Sequence, residues 1–259
     1  LLSQITEKKV VYNFRQNDLD NGGQGAPLTP IYHNALANKI NKKFHLEFPI
    51  NILNIGGISN ITITTNDKDL WKKSKIYAYD IGPGNCLIDE WIRKNSKEKY
   101  DDNGILARSG KVDKLILNQA LDNFSGKHDY KKSLDIKDFD IFFAKGLSLE
   151  NGAATITELT AKLISDGIDY IYSTRQSLMN KLIVCGGGRK NKYLLECIQN
   201  NFEKLQLDPI ENFKINGDFI ESQAFAFLAI RSFLNLPISF PETTGCKKPC
   251  TGGVIVKNF

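Results

Sequence analysis

Three short glycine-rich segments constrain what this chain can fold into more than any other feature. They are residues 54–60, 80–85 and 185–188, and each stands at the end of an apolar, β-like run. Glycine has no Cβ, so the backbone N–H groups of such a segment can come close to a phosphate group. Concave groups of N–H donors attract anions. One glycine pair is usually an ordinary turn, but three segments at strand ends predict a protein that binds a polyphosphate.

Composition and charge exclude one class of partner. The 259 residues allow one large domain or two modest ones, and a hydrophobic content of 41% is enough for a packed core. The net charge is +5, but the lysines are scattered singly or in pairs. Nucleic-acid-binding proteins usually gather their basic residues in one stripe with aromatic residues between them. The pattern therefore indicates a solvated, lysine-rich surface and no nucleic-acid partner.

The cysteines and the apolar runs bear on the cellular compartment. The five cysteines and three histidines lack the spacing of a disulfide framework or a zinc site. We therefore expect reduced thiols in a cytoplasmic protein, with Cys86, Cys185 and Cys197 in the core. No apolar run approaches the ~20 residues of a membrane span, and the N-terminus lacks a signal-peptide core, so no membrane partner is expected. The chain begins at Leu1 and its one methionine is Met179, which indicates a fragment or a processed form.

The apolar spacing predicts alternating strands and helices. The predicted strands are 10–14, 50–55, 61–65, 76–79 and 182–184. The predicted helices begin at Pro30, Cys86, Glu150, Lys192 and Phe219. The last helix is apolar nearly all round, which predicts that it is buried with its aromatic residues in the core. Residues 95–140 show little pattern and are interpreted as a variable insertion.

The order of hairpin, strand, helix, strand and helix is typical of the second half of an actin-like ATPase domain. In this interpretation the second and third strands form a β-hairpin whose tip is residues 56–60. The predicted fold class is α/β, with a ribonuclease-H-like mixed sheet flanked by helices.

Four segments give the chain a more specific resemblance, which runs from about Val10 to Ile255. They resemble "FRxxD…GGxGAPL", a second phosphate loop, "FDxGPGN" and "GDxxExxAFA", and they lie at residues 14–28, 53–62, 79–85 and 217–226. In these motifs the chain is similar to the 1,6-anhydro-N-acetylmuramic acid kinases, a family within the superfamily of sugar kinases, Hsp70 and actin.

The resemblance implies an activity. Enzymes of that family transfer the γ-phosphate of ATP to O6 of the anhydro sugar while water opens the 1,6-anhydro bridge. The product is N-acetylmuramic acid 6-phosphate, a step in the recycling of bacterial cell wall. The resemblance therefore implies ATP and Mg²⁺ as cofactors and a small sugar as the partner. The protein could be a monomer or a homodimer.

The resemblance also implies roles for individual residues. Asp18 would be the catalytic general base that activates the water attacking the anomeric carbon. Asp80 would hold Mg²⁺ through water. The implied sugar-binding residues are Gly22, Gly23, Gln24 and Glu221. The implied nucleotide-binding residues are Asn54, Gly56, Gly57, Ser59, Asn60, Gly82, Gly84, Asn85, Gly186, Gly187 and Gly188, the last three at the place where the superfamily packs the adenosine.

Each of these residue types also has a structural interpretation. An isolated loop aspartate such as Asp18 is usually a turn former, and residues 56–60 could be no more than a hairpin tip. Asp80 could be the N-cap of the following helix. Asp218 and Glu221 have the spacing of a capping box, which competes equally with a sugar contact for Glu221.

One motif of the family is not found in the sequence. The first domain of these kinases begins with a glycine-rich hairpin that reads like "GTSxDG", and only the tail of that domain is recognised here. We therefore assign residues 1–47 to the first domain and residues 48–259 to the second. Two alternatives to an active kinase follow. The chain could be a catalytically inactive nucleotide-binding remnant, or an interaction module whose other half comes from another chain.

Overall fold

The computed structural model describes residues 1–64, 76–124, 129–130, 132–175 and 181–258. The chain divides into two compact units. Unit 1 consists of Leu1–Ile50, Thr62–Tyr79 and Phe219–Phe259, and unit 2 consists of Asn51–Ile61 and Asp80–Asp218. The N-terminal segment that the sequence assigns to a first domain thus belongs to one unit with the C-terminal forty or so residues, which the sequence assigns to the second domain.

A five-stranded sheet is the largest β structure among the described residues. Its strand order is β4-β3-β2-β5-β6, and β1 and β7 form a separate antiparallel pair. The strands are β1 (Val10–Tyr12), β2 (Asn51–Ile55), β3 (Ile58–Ile63), β4 (Tyr77–Pro83), β5 (Lys181–Cys185), β6 (Gln206–Pro209) and β7 (Val254–Val256). The strand β5 pairs in parallel with both β2 and β6, whereas the two-residue connection between β2 and β3 suits only antiparallel neighbours. The sheet is therefore mixed, which confirms the predicted α/β class.

The neighbouring strands β2 and β5 are buried, and most of their residues are apolar. In β2, Ile52, Leu53 and Ile55 are fully buried, and in β5 so are Leu182 and Val184. Strands covered on both faces read as continuous apolar runs rather than as alternating ones. These runs are the same ones from which the sequence predicted strands at 50–55 and 182–184.

The described residues also form α-helices in both units. They are α1 (Leu2–Thr6), α2 (Gln16–Asp20), α3 (Pro30–Phe44), α4 (Cys86–Asn95), α5 (Ile105–Ser109), α6 (Lys114–Phe124), α7 (Leu149–Arg175), α8 (Lys192–Gln199), α9 (Ile220–Phe233) and α10 (Pro241–Thr244). In unit 2 the long helix α7 packs against α4, α5, α6 and α8. None of the helices in the described ranges is long and apolar enough to cross a membrane.

Two boundaries differ from the prediction. The strand β3 begins at Ile58, so Gly56 and Gly57 alone form the hairpin tip. The strand β4 continues to Pro83, so Asp80 and Gly82 lie in a strand rather than in a loop. In both places the backbone is extended because the strand overlaps the glycine-rich segment.

The part of residues 95–140 that the structure describes has regular structure, and its interpretation as a variable insertion stays a prediction. This part contains α5 and α6, and Ala107, Leu117 and Ala120 are buried. Both helices pack on α7. They have only five and eleven residues, so their apolar stripes are short.

The predicted burial of the last helix is wrong. Of the residues of α9, only Ile220, Ala224, Leu228, Arg231 and Ser232 are buried. Ile230 is 59% exposed and Phe233 is 55% exposed. One stripe of α9 contributes to the core of unit 1, which consists of Leu28, Ile31, Ile76, Leu228, Ile238 and Phe240 with Phe14 and Phe227 packed against it. Apolar residues occur on every face of α9, so the sequence could not show which face would pack against the core.

A buried histidine should make the stability of the chain depend on pH. His33 Nδ1 lies 2.8 Å from the hydroxyl of Thr62, and both residues are buried in unit 1. Burial lowers the pKa of His33 from 6.5 to about 4. The neutral ring therefore stabilises the fold fully above pH 6.5, and this contribution is lost as the pH falls through 4, because the unfolded chain takes up the proton first.

We expect this histidine to account for a loss on the order of 3 kcal/mol of unfolding free energy between neutral pH and pH 4. Urea unfolding across that pH range measures it. His33→Gln should flatten the dependence relative to His45→Asn, a control on the histidine that ends α3. Equal pH dependence in the two variants would contradict the assignment.

Candidate functional site

Backbone hydrogen bonds in unit 2 join the first two glycine segments. The N–H groups of Gly84 and Asn85 donate to the carbonyl oxygens of Gly57 and Gly56, each at 2.8 Å. A Cβ on Gly84 would lie 2.2 Å from the oxygen of Gly56, so no larger residue fits there. The hairpin tip and the end of β4 therefore form one continuous glycine-lined surface.

The third glycine segment lies against the end of β2 in the same unit. Gly186 has a φ of +81°, and a Cβ there would lie 2.4 Å from the carbonyl oxygen of Ile55. A Cβ on Gly188 would lie 2.2 Å from Cγ2 of Ile55. On Gly187 it would make only an ordinary contact, 3.5 Å from Nδ2 of Asn85. A strand-to-helix turn alone does not require this set of glycines, whereas close packing of the three segments does.

A cavity of about 360 Å³ opens where the second and third segments meet. Its lining includes Asn85, Ile88 and Asp89 from the start of α4, and Gly187 and Lys190 from the third segment. The helix α4 begins with no side-chain cap on its N-terminal N–H groups. Such an N-terminus favours anions. The N–H groups of Asn85 and Cys86 already donate to the hairpin tip, so the helix end contributes the polarity of its dipole. The cavity itself is also lined by Asp101 and Asp102, so it suits the uncharged part of a nucleotide better than its phosphates.

The polar side chains of the first segment support the backbone. Ser59 is fully buried in β3, and its hydroxyl donates to the carbonyl oxygen of Pro83 at 3.1 Å. Asn54 Oδ1 accepts from the Cys185 thiol at 3.6 Å. Asn60 also lies in β3, and its Oδ1 is buried without a hydrogen-bond partner. In the predicted nucleotide site, these side chains would therefore act by holding the backbone of the segment in place.

Asp80 does not cap the next helix. The N-cap of α4 is Asn85, and Asp80 lies within β4. Its Oδ2 accepts the N–H of Leu134 at 2.9 Å.

Of the predicted core cysteines, Cys185 and Cys197 are buried, whereas Cys86, next to Asn85, is half-buried.

Asp18 is held in unit 1 by two hydrogen bonds. Its side chain is nearly inaccessible, with a residue exposure of 1%. Oδ2 accepts the N–H of Gly25 at 2.7 Å, and Oδ1 accepts the hydroxyl of Thr244 at 2.6 Å. A Cβ on Gly23 would lie 2.2 Å from Oδ2. The carboxylate therefore organises residues 22–25 around itself and does more than shape a local turn.

The neighbours of Asp18 follow from the same arrangement. Gly22 and Gly25 have φ values of +81° and +71°, which favour glycine. The N–H of Gln24 donates to the carbonyl oxygen of Thr244 at 2.9 Å. Thr244 was missed by the sequence reasoning, since no local pattern connects it to a carboxylate 226 positions away.

The capping box predicted at Asp218 and Glu221 is wrong. The helix α9 begins after Phe219 and has no side-chain cap. The carboxylate of Asp218 instead pairs with Arg189 and Lys190 in unit 2. Glu221 is exposed in the first turn of α9, so its sugar contact stays a prediction. Arg189 is the second residue that the sequence reasoning missed, although it directly follows the third glycine segment.

The donor set around Asp80 suits a magnesium ion that is bound together with a nucleotide. Mg²⁺ is usually held by one or two carboxylates, by waters and by the phosphates of the substrate. Within the described ranges, no group of three or more histidine, cysteine, aspartate or glutamate residues could hold a metal on its own. Asp80 contributes a single carboxylate from the strand that leads into Gly82 and Gly84. This fits an ion that is held by one carboxylate, waters and phosphates, and not an ion held by protein ligands alone.

Comparison with known proteins is consistent with this geometry. A family model described as anhydro-N-acetylmuramic acid kinase matches residues 1–258. Curated proteins of that name are similar to the chain. The protein from Pelagibacter ubique is 52% identical over 100% of the chain and 68% of its own length. Those from Zymomonas mobilis and Brucella canis are 40% and 38% identical over 98% and 99% of the chain and 65% and 66% of their own lengths.

The chain thus spans about two thirds of the length of these relatives. Among solved structures, the activator of the 2-hydroxyisocaproyl-CoA dehydratase from Clostridium difficile with bound ADPNP aligns with a TM-score of 0.41 at 10% identity. That alignment covers 73% of this chain and 64% of the other.

Proposed function

The chain belongs to the anhydro-N-acetylmuramic acid kinase family, and from this premise we propose that it phosphorylates 1,6-anhydro-N-acetylmuramic acid at O6 with ATP. Water opens the anhydro bridge in the same reaction, so the products are N-acetylmuramic acid 6-phosphate, ADP and a proton. The observation that carries the proposal is that three glycine segments of unit 2 lie against one another, so that no side chain of their own covers the backbone there.

The glycine segments would bind ATP. The hairpin tip at Gly56 and Gly57, together with Gly82 and Gly84, would take the phosphates, and the N-terminus of α4 adds a dipole of the right polarity. The adenosine would occupy the cavity of about 360 Å³ beside Gly187. Asp80 would hold Mg²⁺, which when bound neutralises charge on the phosphate oxygens.

Asp18 would act as the general base. It would accept a proton from the water whose oxygen attacks the anomeric carbon, and the bond from that carbon to O6 would break. O6 would then form its bond to the γ-phosphorus as ADP leaves. The hydrogen bonds from Gly25 and Thr244 hold the carboxylate in one orientation, which supports this role because a general base must be positioned toward its proton. Gly22, Gly23, Gln24 and Glu221 would border the sugar.

The Asp18 network also bears on the alternatives of an inactive remnant and an interaction module. A protein that only bound nucleotide would have no use for a buried carboxylate held by donors from two distant parts of unit 1. The contacts with Gly25 and Thr244 therefore favour the kinase.

Release of ADP tests the proposal. The purified chain is incubated with Mg-ATP, with and without the anhydro sugar, and ADP is measured by a coupled assay. We expect ADP release that depends on the sugar. A chain that is folded by circular dichroism yet releases no ADP in response to the sugar would overturn the proposed function.

A further inference from the structure

Arg189 is a buried arginine that directly follows the third glycine segment, and we propose that it is a positioning residue that sets the shape of this segment for ATP. The inference rests on the proposed function, because it assumes that residues 186–188 bind the nucleotide. The sequence reasoning assigned no role to this side chain.

The guanidinium of Arg189 has three protein acceptors within unit 2. Nε donates to Oε1 of Glu211 at 2.7 Å, and one terminal nitrogen donates to Oδ1 of Asp218 at 2.7 Å. The other terminal nitrogen donates to the carbonyl oxygen of Gly186 at 2.9 Å. The side chain is 5% exposed. A buried charge is costly unless it is paired, and the two carboxylates meet that requirement.

The third of these bonds acts on the glycine segment itself. The peptide group is planar, so the direction of the Gly186 carbonyl also fixes the direction of the Gly187 N–H. Gly186 has a φ of +81°, a conformation that glycine reaches freely and therefore does not hold by itself. The backbone N–H of Arg189 donates to the same carbonyl oxygen at a longer 3.4 Å, so the guanidinium adds the shorter restraint. Gly187 lines the cavity assigned to the adenosine.

The turn at Gly217 and Asp218 is shaped to receive the guanidinium. A Cβ on Gly217 would lie 2.1 Å from Nε of Arg189, and the Gly217 N–H donates to Oε1 of Glu211 at 3.3 Å. Glycine is thus required there by the arginine. This accounts for the glycine and aspartate of the fourth sequence segment.

Arg189 contributes more to this arrangement than Lys190 does. Lys190 also reaches Oδ1 of Asp218, at 2.6 Å, but its side chain is 60% exposed. Exposed ion pairs of this kind stabilise little. The hydrogen bond from Arg189 is the largest cause that lowers the pKa of Asp218. The buried guanidinium is therefore the group that holds the glycine segment and the turn together.

Arg189→Lys tests the role, because lysine keeps the charge but cannot donate to three acceptors through a planar fork. We expect the Kd of ATP, measured by equilibrium binding without sugar, to rise by about tenfold or more. The KM for the sugar should not change. The matched control is Arg108→Lys, which alters an exposed arginine paired with Glu196 at 2.6 Å in the same unit and should bind ATP like the wild type.

Asp218→Asn is the second test, for the case that Arg189→Lys does not fold. It removes the charge of one acceptor, and the Asp218 side chain is 52% exposed, so the change should be tolerated by the fold. It should weaken ATP binding in the same direction. Wild-type affinity for ATP in whichever of the two is folded would overturn the positioning role. So would a parallel loss of sugar and ATP affinity, which indicates a general structural role. If the wild-type chain itself bound no ATP, the proposed function would fail and this inference with it.

Discussion

Asp18→Asn is expected to lower kcat by about 10²- to 10⁴-fold, the contribution usual for a general base. Asparagine has the shape of aspartate and keeps an oxygen for one of the donors at Gly25 and Thr244. It has no negative charge and cannot accept the proton from water. Binding of ATP should stay nearly unchanged, because the glycine segments lie in unit 2 and Asp18 lies in unit 1. Steady-state kinetics and equilibrium ATP binding measure the two quantities.

The matched control for this variant lies in the same short helix. Asp20 is exposed and its carboxylate accepts a hydrogen bond from Gln16 at 2.8 Å, so Asp20→Asn should turn over at the wild-type rate. If Asp18→Asn kept the rate of this control, Asp18 would have no part in activating water.

Gly84→Ala is expected to damage the nucleotide surface. The new methyl group would lie 2.2 Å from the oxygen of Gly56, and backbone cannot move aside as a side-chain tip can. The two segments must separate, which breaks the hydrogen bonds from Gly84 and Asn85 to the hairpin tip. We expect the free energy of unfolding to fall by about 1–3 kcal/mol and the Kd of ATP to rise by about tenfold or more.

The control for the stability effect is Gly57→Ala. A methyl group there would meet only Cγ2 of Ile136, at an ordinary 3.6 Å, so urea unfolding should give a free energy close to that of the wild type. Equal stability of the two variants would show that the close approach of Gly84 to Gly56 is not needed for the fold.

The sequence was most informative where one local property decides the structure. The buried strands β2 and β5 are runs of apolar residues, and burial on both faces produces such runs. The glycine segments were predicted to bind a polyphosphate because each follows a strand, and in the structure they lie against one another in unit 2. Residue types alone therefore identified the segments that meet in the structure.

Contacts between side chains that are distant in the sequence could not be predicted from residue types. Arg189 meets partners 22 and 29 positions away, and Thr244 meets Asp18 across 226 positions. No local pattern records these distances. The short strands β6 and β7 have four and three residues, too few for a clear alternation. The helix α9 was assigned to the core because apolar residues surround it, but packing uses only one of its faces.

The reaction carried out in ¹⁸O-labelled water tests the central claim most directly. The chain is incubated with Mg-ATP and 1,6-anhydro-N-acetylmuramic acid, and the sugar product is analysed by mass spectrometry. The account predicts N-acetylmuramic acid 6-phosphate that carries one solvent oxygen at the anomeric carbon, with its phosphate unlabelled. A sugar phosphate without solvent oxygen, or no sugar phosphate from folded chain that binds ATP, would contradict it.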